Sequence, residues 1–370
     1  MYTKNIPSLK IGNIEINPPI IQGGMGVRVS GAGLAAAVAN TGCAGVIAGA
    51  GLGRFQQKPG SEFAKLNEIA LGDEIRKARS NSNGIIGVNI MVAMDDYDNL
   101  VRAAVREGAD MIISGAGLPI NLPELVGDSD IKLIPIVSSA RTFNIICKKW
   151  LSRTGRLPDA VVVEGPEAGG HLGYSFENVT ENTADTLEQI VAEVLEIAAG
   201  FEKPIPVIAA GGIFDGADIV KFLAIGASGV QMATRFVCTD ECDAHINFKN
   251  MYINSTEQDL TIIKSPVGLP GRVINNAFVE TIKQGETMPF KCRYRCLRNC
   301  NPATAPYCIA EVLADAAMGR LEKSFAFAGS NAYRCTEIIP VARLVENIKS
   351  EMLEAFETQK LTEEVMSVLN

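Results

Sequence analysis

Eight short apolar runs occur in the first 236 residues, and most of them end in glycine or another small residue. Near-continuous apolarity, without alternation, is typical of strands buried on both faces of a parallel sheet. The runs occupy residues 18–26, 43–51, 84–92, 109–117, 132–139, 160–165, 205–212 and 227–236. Segments with helical spacing follow five of them, at residues 32–42, 97–108, 142–155, 185–200 and 215–226. This alternation predicts an α/β fold, a TIM (β/α)8 barrel, and its length is close to the ~250 residues typical of that fold.

The pattern divides the chain into residues 1–236, the predicted barrel, and residues 237–370. The second part has no strand-like run of comparable quality and is predicted to be a mostly helical appendage packed on the barrel. Its helices are expected near 308–320 and 340–357. Residues 50–84 exceed a simple strand–helix link, so an extra loop or helix is expected there. A doubly wound sheet is not favoured, because the glycines after the first run do not follow the GxGxxG pattern.

The composition excludes several classes of function. The formal net charge of −8 predicts no basic surface for nucleic acid or for an acidic membrane. No apolar run reaches the length of a membrane span, and the N-terminal residues lack the apolar core of a signal peptide. The sequence therefore predicts a cytoplasmic protein with a small-molecule substrate, no nucleic-acid partner and no membrane association.

Glycine occurs at most of the predicted strand ends, which form the active-site face of a TIM barrel. So many glycines suggest a flat ligand that lies close to the backbone. Gly211 and Gly212, together with the hydroxyl of Thr234, form an expected anion nest after the last two strands. Barrels commonly bind a phosphate at this place. The alternative is that the two glycines only permit tight turns.

His171 is one of only two histidines and follows the sixth apolar run within EAGGHLG. An unperturbed imidazole pKa of about 6.5 suits proton transfer at neutral pH, so His171 is the predicted catalytic residue. The alternative is a histidine that merely hydrogen-bonds its own loop. His245 has no comparable context and is predicted to lie at the surface.

Several motifs together resemble the nitronate monooxygenase family, whose superfamily also contains flavin-dependent enoyl-ACP reductases and some quinone reductases. They are GGMG at 23–26, GVN at 87–89, EAGGHLG at 167–173, AAGG at 209–212, GVQMATRF at 229–236 and KSPVGLPGR at 264–272. The resemblance implies a TIM barrel that binds FMN non-covalently.

Taken with the strand-end positions, the resemblance also implies which residues contact FMN. These are Gly24, Met25, Gly26, Asn89, Ser139, Glu164, Gly169, Gly170, Gly211, Gly212, Gln231, Met232, Ala233 and Thr234. Two of them depart from the family pattern. Relatives often carry glycine in place of Ala233, which implies a slightly displaced phosphate loop, and an uncharged or shorter residue in place of Glu164.

The function that the resemblance implies is FMN-dependent oxidation of alkyl nitronates by O2 to a carbonyl compound and nitrite, with His171 holding or deprotonating the substrate. The alternative is a reductase in which NAD(P)H reduces FMN for an enoyl-ACP or a quinone. Ala168, where enoyl reductases commonly carry serine, favours the nitronate or quinone branch. A flavin-binding sensor or storage protein is a third class. The helical appendage could mediate a homodimer.

A cysteine-rich segment, residues 292–308, holds Cys292, Cys296, Cys300 and Cys308. The x3–x3–x7 spacing matches no standard metal-binding pattern, so no metal ligand is predicted from it. Three interpretations stay open. The thiols could bind zinc or an iron–sulfur cluster, they could pack one helix against the barrel, or nearby basic residues could make them redox-sensitive.

Overall fold

The part of the chain that the structure describes forms one large parallel sheet and two small antiparallel sheets. A computed structural model describes residues 6–55 and 63–369. The strands are β1 (Leu9–Ile11), β2 (Ile14–Ile16), β3 (Ile20–Gln22), β4 (Gly45–Ala48), β5 (Ile86–Met91), β6 (Met111–Gly115), β7 (Lys132–Val137), β8 (Val161–Glu164), β9 (Gly170–His171), β10 (Val207–Ala210), β11 (Gly229–Met232), β12 (Leu260–Lys264) and β13 (Pro270–Ile274).

Helices follow most of the barrel strands and make up most of the remaining regular structure. The α-helices are α1 (Ala32–Ala39), α2 (Phe63–Asn81), α3 (Tyr97–Arg106), α4 (Leu122–Val126), α5 (Ala140–Thr154), α6 (Phe176–Thr180), α7 (Leu187–Ala199), α8 (Gly216–Ile225), α9 (Thr234–Val237), α10 (Ile246–Ile253), α11 (Ala277–Lys283), α12 (Ile309–Ala317) and α13 (Val341–Leu369). Short 3-10 helices occupy Leu52–Phe55, Glu257–Asp259 and Ala332–Arg334. Within the described residues, no helix is long and apolar enough to cross a membrane.

The parallel sheet closes into a barrel. Its strands pair in the order β3, β11, β10, β8, β7, β6, β5 and β4. A parallel bridge between Ile21 and Ala44 joins the first strand of this order to the last. Residues along these strands are mostly buried, since side chains on one face fill the barrel and those on the other meet the outer helices. The predicted TIM barrel is confirmed, and each of the eight apolar runs contains one of its strands.

The outer helices agree with the helical segments of the sequence. α1, α3, α5, α7 and α8 lie where the periodicity predicts them. Residues 50–84 hold a 3-10 helix and α2, and α2 is the ordinary crossover helix from β4 to β5. Residues 56–62 of this region lie outside the described residues.

The long C-terminal helix α13 packs against α8 and α1, in the place of the eighth outer helix of the barrel. Val341, Leu344, Val345, Ile348 and Met352 are buried in the same hydrophobic core as the barrel helices. The chain therefore leaves the barrel after β11 and returns to complete it. The division of the chain after residue 236 stays a prediction.

Helices make up most of the regular structure of the appendage, as predicted, and α12 and α13 lie near the expected positions. The appendage also contains two strands that the sequence did not predict, β12 and β13. They form a hairpin, and β13 pairs with β9, which follows barrel strand β8, in an antiparallel three-stranded sheet. β12 is only partly buried, so its sequence lacks the continuous apolar pattern of the barrel strands.

Candidate active site

A cavity of about 320 Å³ lies at the carboxyl ends of the barrel strands. Loops after the strands form its floor and walls, and residues of the appendage cover it. The predicted site residues that line it are Gly24, Met25, Gly26, Asn89, Glu164, Gly169, Gly170, His171, Gly211, Gly212, Gln231, Met232, Ala233 and Thr234. The structure thus brings together every predicted site residue except Ser139.

Ser139 follows β7 but serves the next helix. Its hydroxyl accepts a hydrogen bond from the backbone N–H of Thr142 at 3.3 Å and lies 2.9 Å from the hydroxyl of that threonine. Ser139 is therefore the N-cap of α5. Serine is favoured at such positions because it satisfies a free N–H group of the first turn. Strand position alone does not distinguish this role from ligand binding.

The floor of the cavity forms where the loop after β3 meets the end of β5. A Cβ atom added to Gly24 would lie 2.4 Å from the Cβ of Asn89, so this approach requires glycine. Below it, the side-chain oxygen of buried Gln22 accepts a hydrogen bond from the N–H of Val46 at 3.0 Å. The Asn89 amide has no hydrogen-bond partner among the described residues and is available to a ligand.

A second polar wall follows β10 and β11. Gly211 and Gly212 have φ values of +92° and +85°, in the left-handed region that L side chains rarely adopt. Successive residues of this kind can present backbone N–H groups to an anion. On β11, Oε1 of Gln231 is buried without a hydrogen-bond partner in the described part of the chain. An unpaired buried acceptor costs free energy, so a donor on a bound ligand would stabilise this wall.

The chain thus offers a glycine-lined floor, a free amide on Asn89, an orphaned acceptor on Gln231 and two left-handed glycines. These groups fit a planar ligand that carries hydrogen-bond donors and a phosphate. The carboxyl ends of the last two barrel strands are where TIM barrels commonly bind such a phosphate.

His171 lies at the wall of the cavity on β9, which pairs with β13 through Gly271 opposite His171. Its Nε2 atom is 2.7 Å from the hydroxyl of Ser265. The ring also meets the Phe327 ring edge-on, with 4.8 Å between centroids. Burial lowers the pKa of His171 to about 4, well below the value of about 6.5 that the sequence suggested. The imidazole is therefore neutral at pH 7.

Glu164 ends β8 and faces the same cavity. Burial raises the pKa of its carboxyl group to about 7, because no cation within the described residues compensates for the lost solvation. The neighbouring Tyr174 hydroxyl donates to the backbone carbonyl of Glu164 at 2.7 Å and leaves the carboxyl group free. Near neutral pH this side chain can hold or release a proton.

No lysine or arginine lines the cavity in the parts of the chain that the structure describes. Arg272 lies behind the wall and donates to the carbonyl groups of Ala168 at 3.2 Å and Pro166 at 2.6 Å. It thereby holds the loop that precedes His171. A phosphate in this cavity must be bound by backbone groups and neutral side chains.

Comparison with known proteins agrees with this geometry. The sequence matches the nitronate monooxygenase family over residues 7–351. The chain belongs to this family. As a member, it is a flavin-dependent oxidoreductase.

Individual family members and related proteins differ in the activities that their names state. The chain is 30% identical over 272 residues to the (3aS,4S,5R,7aS)-5-hydroxy-7a-methyl-1-oxo-octahydro-1H-indene-4-carboxyl-CoA dehydrogenase of Mycobacterium tuberculosis, covering 74% of this chain and 67% of that protein. It is 27% identical over 309 residues to a probable nitronate monooxygenase of Staphylococcus aureus, covering 74% and 79% of the two chains. Among solved structures, FabK from Thermotoga maritima matches with a TM-score of 0.71 at 30% identity, covering 92% of this chain and 94% of that one.

The roof over this flavoenzyme cavity comes from residues that sequence analysis did not predict to line the site. They lie in the β12–β13 turn, the cysteine-rich segment, α12 and the residues before the last 3-10 helix, and include Val267, Leu269, Cys296, Leu297, Ile309, Leu313 and Phe327. Most of these side chains are apolar. The KSPVGLPGR motif contains Val267 and Leu269 as well as Ser265, the partner of His171, and Cys296 belongs to the cysteine-rich segment. His245 is exposed, as predicted, and it is the N-cap residue of α10.

Proposed function

We propose that this protein binds FMN and oxidises alkyl nitronates with O2 to a carbonyl compound and nitrite. The observation that carries the proposal is the neutral His171 at the wall of a cavity that no basic side chain lines. A small substrate needs only a few hydrogen bonds there.

Different residues of the cavity would hold the ring system and the phosphate of FMN. Gly24 and Asn89 would hold the ring system, and the buried oxygen of Gln231 would accept a hydrogen bond from a ring N–H. Gly211 and Gly212 would hold the phosphate through the backbone. When bound, FMN supplies the two-electron oxidising capacity and the reaction with O2.

His171 would orient the substrate by hydrogen bonding rather than by charge. A neutral imidazole has one N–H donor and one acceptor nitrogen, and Ser265 engages Nε2 at 2.7 Å. This contact fixes the ring and leaves Nδ1 as the second polar atom. The nitronate group carries two oxygen acceptors that a neutral donor can bind without the cost of burying another charge.

Glu164 would control the charge of the cavity. Since its pKa is raised to about 7, the carboxyl group is protonated in mildly acidic solution and adds no negative charge beside an anionic substrate. Above this pH its ionisation would repel the nitronate. We therefore expect the KM for nitronate to rise above pH 7, and Glu164→Gln to remove much of that rise.

A reductase of enoyl thioesters is the second candidate. The apolar roof formed by Leu269, Leu297, Leu313 and Phe327 suits an acyl chain. The relative from Mycobacterium tuberculosis is named as a dehydrogenase of a carboxyl-CoA compound, which is a thioester. This function would require NAD(P)H as reductant.

Anaerobic mixing distinguishes the two candidates. The purified holoenzyme is mixed with propyl-2-nitronate, and separately with NADH and with NADPH, and the flavin absorbance is followed. Bleaching by nitronate alone supports the proposal, and His171→Ala should slow that bleaching at unchanged flavin content. Bleaching by a nicotinamide alone overturns it in favour of the reductase. Absence of a flavin band after reconstitution with FMN would contradict the assignment of the cofactor.

A further inference from the structure

The polypeptide just before the last 3-10 helix crosses the wall of the cavity that follows β10 and β11. Gly329 lines the cavity, and a Cβ atom added to it would lie 2.8 Å from the hydroxyl oxygen of Thr234. A Cβ atom added to Gly169 would lie 2.5 Å from the carbonyl carbon of Ala328 and from the nitrogen of Gly329. This part of the appendage therefore packs with its backbone against the loop before β9 and against the residue that begins α9.

Two side chains of the same stretch hydrogen-bond to the wall. Nδ2 of Asn331 donates to the backbone carbonyl of Gly212 at 2.6 Å, across 119 positions of sequence. Ser330 donates through its hydroxyl to Oε2 of Glu167 at 3.1 Å, and through its backbone N–H to the carbonyl of Glu167 at 3.1 Å. Gly212 and Glu167 both line the cavity, whereas Asn331 itself does not. Any effect of Asn331 on a bound ligand must therefore pass through Gly212.

The bond from Asn331 sets the direction of the peptide group that joins Gly212 to Ile213. This peptide bond is trans, and the C=O and N–H of a planar trans peptide point in opposite directions. Because the Gly212 carbonyl is held on Asn331, the N–H of Ile213 points away from Asn331. Ile213 lines the cavity, and the N–H groups of Gly212 and Ile213 donate to no other group within the described residues. Asn331 thus fixes one of two free donors at the wall.

The direction of these donors matters because no cation lines this wall in the described part of the chain. The carboxylate of Glu167 also lies close to Gly212, where a Cβ atom would be 2.5 Å from Oε2. A phosphate here must therefore gain its affinity from backbone N–H groups and hydroxyls, against a negative charge. Such groups stabilise an anion only when several of them converge on it. Glycine restricts its own backbone least, so the peptide group after Gly212 needs an external partner to hold it.

We propose that Asn331 is a positioning residue for the phosphate of FMN, which it serves by holding the Gly212 carbonyl so that the Ile213 N–H is directed to the anion. The inference rests on the proposed binding of FMN and deepens it. It makes part of the affinity for the cofactor depend on the appendage. It is independent of whether the substrate is a nitronate or a thioester.

Titration of the full-length apoprotein with FMN and with riboflavin tests this inference. Asn331→Ala removes the donor to the Gly212 carbonyl, and Asn331→Asp replaces it with an oxygen that repels this carbonyl. We expect the Kd for FMN to increase about tenfold in Asn331→Ala, as the loss of about one hydrogen bond implies, and further in Asn331→Asp. The Kd for riboflavin, which lacks the phosphate, should change little in both variants, and its retained binding shows that they are folded.

Asn276→Ala is the matched control. Nδ2 of Asn276 also donates to a distant backbone carbonyl, that of Ser324 at 2.8 Å, and its Oδ1 caps α11. Asn276 does not line the cavity. This variant therefore loses at least as many hydrogen bonds as Asn331→Ala, but the ratio of its affinities for FMN and riboflavin should equal that of the wild type.

Hydrogen–deuterium exchange locates the effect within the site. Saturating FMN should slow the exchange of residues 211–214 and 23–26 in the wild type. In Asn331→Ala, also at saturating FMN, protection of residues 211–214 should be largely lost while that of residues 23–26 remains.

Two results overturn the inference and leave the binding of FMN intact. They are an unchanged FMN affinity in both Asn331 variants, and an equal loss of affinity for FMN and riboflavin. Equal affinity of the wild-type protein for the two flavins would instead contradict the proposed phosphate site, and with it the role of Asn331.

Discussion

The Nε2 atom of His171 and the hydroxyl oxygen of Ser265 lie 2.7 Å apart, although 94 positions separate them in the chain. The contact joins the barrel to the appendage, because His171 is on β9 and Ser265 directly follows β12. Ser265 is buried, so the bond is shielded from competing water. The orientation of the His171 side chain therefore depends on Ser265, which lies in the appendage and not at the end of a barrel strand.

Removal of the Ser265 hydroxyl should lower the rate of nitronate oxidation more than it weakens the binding of flavin. In Ser265→Ala the imidazole loses a buried partner worth about 1 kcal/mol, and its ring is free to rotate. We expect kcat for nitronate to fall about tenfold, which corresponds to ~1.4 kcal/mol in barrier height, at unchanged FMN affinity. Stopped-flow reduction and a flavin titration measure the two quantities.

The matched control is Ser324→Ala. Ser324 is also buried, and its hydroxyl donates to the carbonyl of Arg320 at 2.6 Å, away from the cavity. A similar loss of kcat in both variants would show that a missing buried hydrogen bond, rather than the orientation of His171, causes the effect.

The barrel and most of its site could be predicted from sequence because their signals are local. Each buried strand carries its own apolar run, and each strand end marks a position on the same face of the barrel. This logic found Asn89, Glu164 and Gln231. It also selected Ser139, which lies outside the lining of the cavity and caps α5, because capping and ligand binding favour the same residue type at the same position.

The roof could not be predicted in this way. Leu297, Leu313 and Phe327 are ordinary apolar residues whose position over the cavity follows only from tertiary packing. The same limit applies to protonation. The lowered pKa of His171 and the raised pKa of Glu164 both result from burial, which a single sequence does not reveal.

Glu164 and His171 should affect the stability of the fold in opposite directions as the pH changes. The pKa of Glu164 rises from 4.5 to about 7 on folding, so its stabilising contribution is present at low pH and is lost as the pH rises through 7. The pKa of His171 falls from 6.5 to about 4, so its contribution is present above pH 6.5 and is lost as the pH falls toward 4. Between pH 4.5 and 6.5 the two effects oppose each other.

Single substitutions should separate the opposing effects. On acidification from pH 7 to pH 5, we expect the free energy of unfolding of Glu164→Gln to fall by about 2 kcal/mol relative to wild type. Over the same interval, the free energy of unfolding of His171→Gln should rise by a similar amount relative to wild type. Urea denaturation of the flavin-free proteins at several pH values measures both, and parallel curves for all three proteins would contradict the assigned pKa shifts.

Asp243 of the appendage stabilises the start of the first barrel helix. Its carboxylate accepts hydrogen bonds from the backbone N–H groups of Gly31 at 2.8 Å, Gly33 at 3.2 Å and Leu34 at 3.0 Å. Asp243→Ala leaves these donors unpaired and removes a negative charge from the N-terminus of α1. We expect a loss of about 2 kcal/mol in the free energy of unfolding, measured by urea denaturation. Asp128→Ala, at an exposed position before β7, is the control and should change stability by less than about 0.5 kcal/mol.

Gly212 and Gly285 provide a matched pair for the proposed phosphate site. Their φ values are +85° and +84°, so alanine at either position introduces the same left-handed strain of about 1 kcal/mol. Their surroundings differ. A Cβ at Gly212 would lie 2.5 Å from Oε2 of Glu167, whereas nothing lies within 4 Å of one at Gly285.

We therefore expect both alanine variants to lose stability, Gly212→Ala more than Gly285→Ala, and only Gly212→Ala to lose cofactor. The added methyl group must displace Glu167 or the backbone that would hold the phosphate, and the Kd for FMN should increase at least tenfold. Fluorescence titration of the apoproteins with FMN and with riboflavin measures the effect. Because riboflavin lacks the phosphate, its affinity should change little. An equal loss of affinity for both flavins would show that Gly212 acts on the ring site and would contradict its assignment to the phosphate.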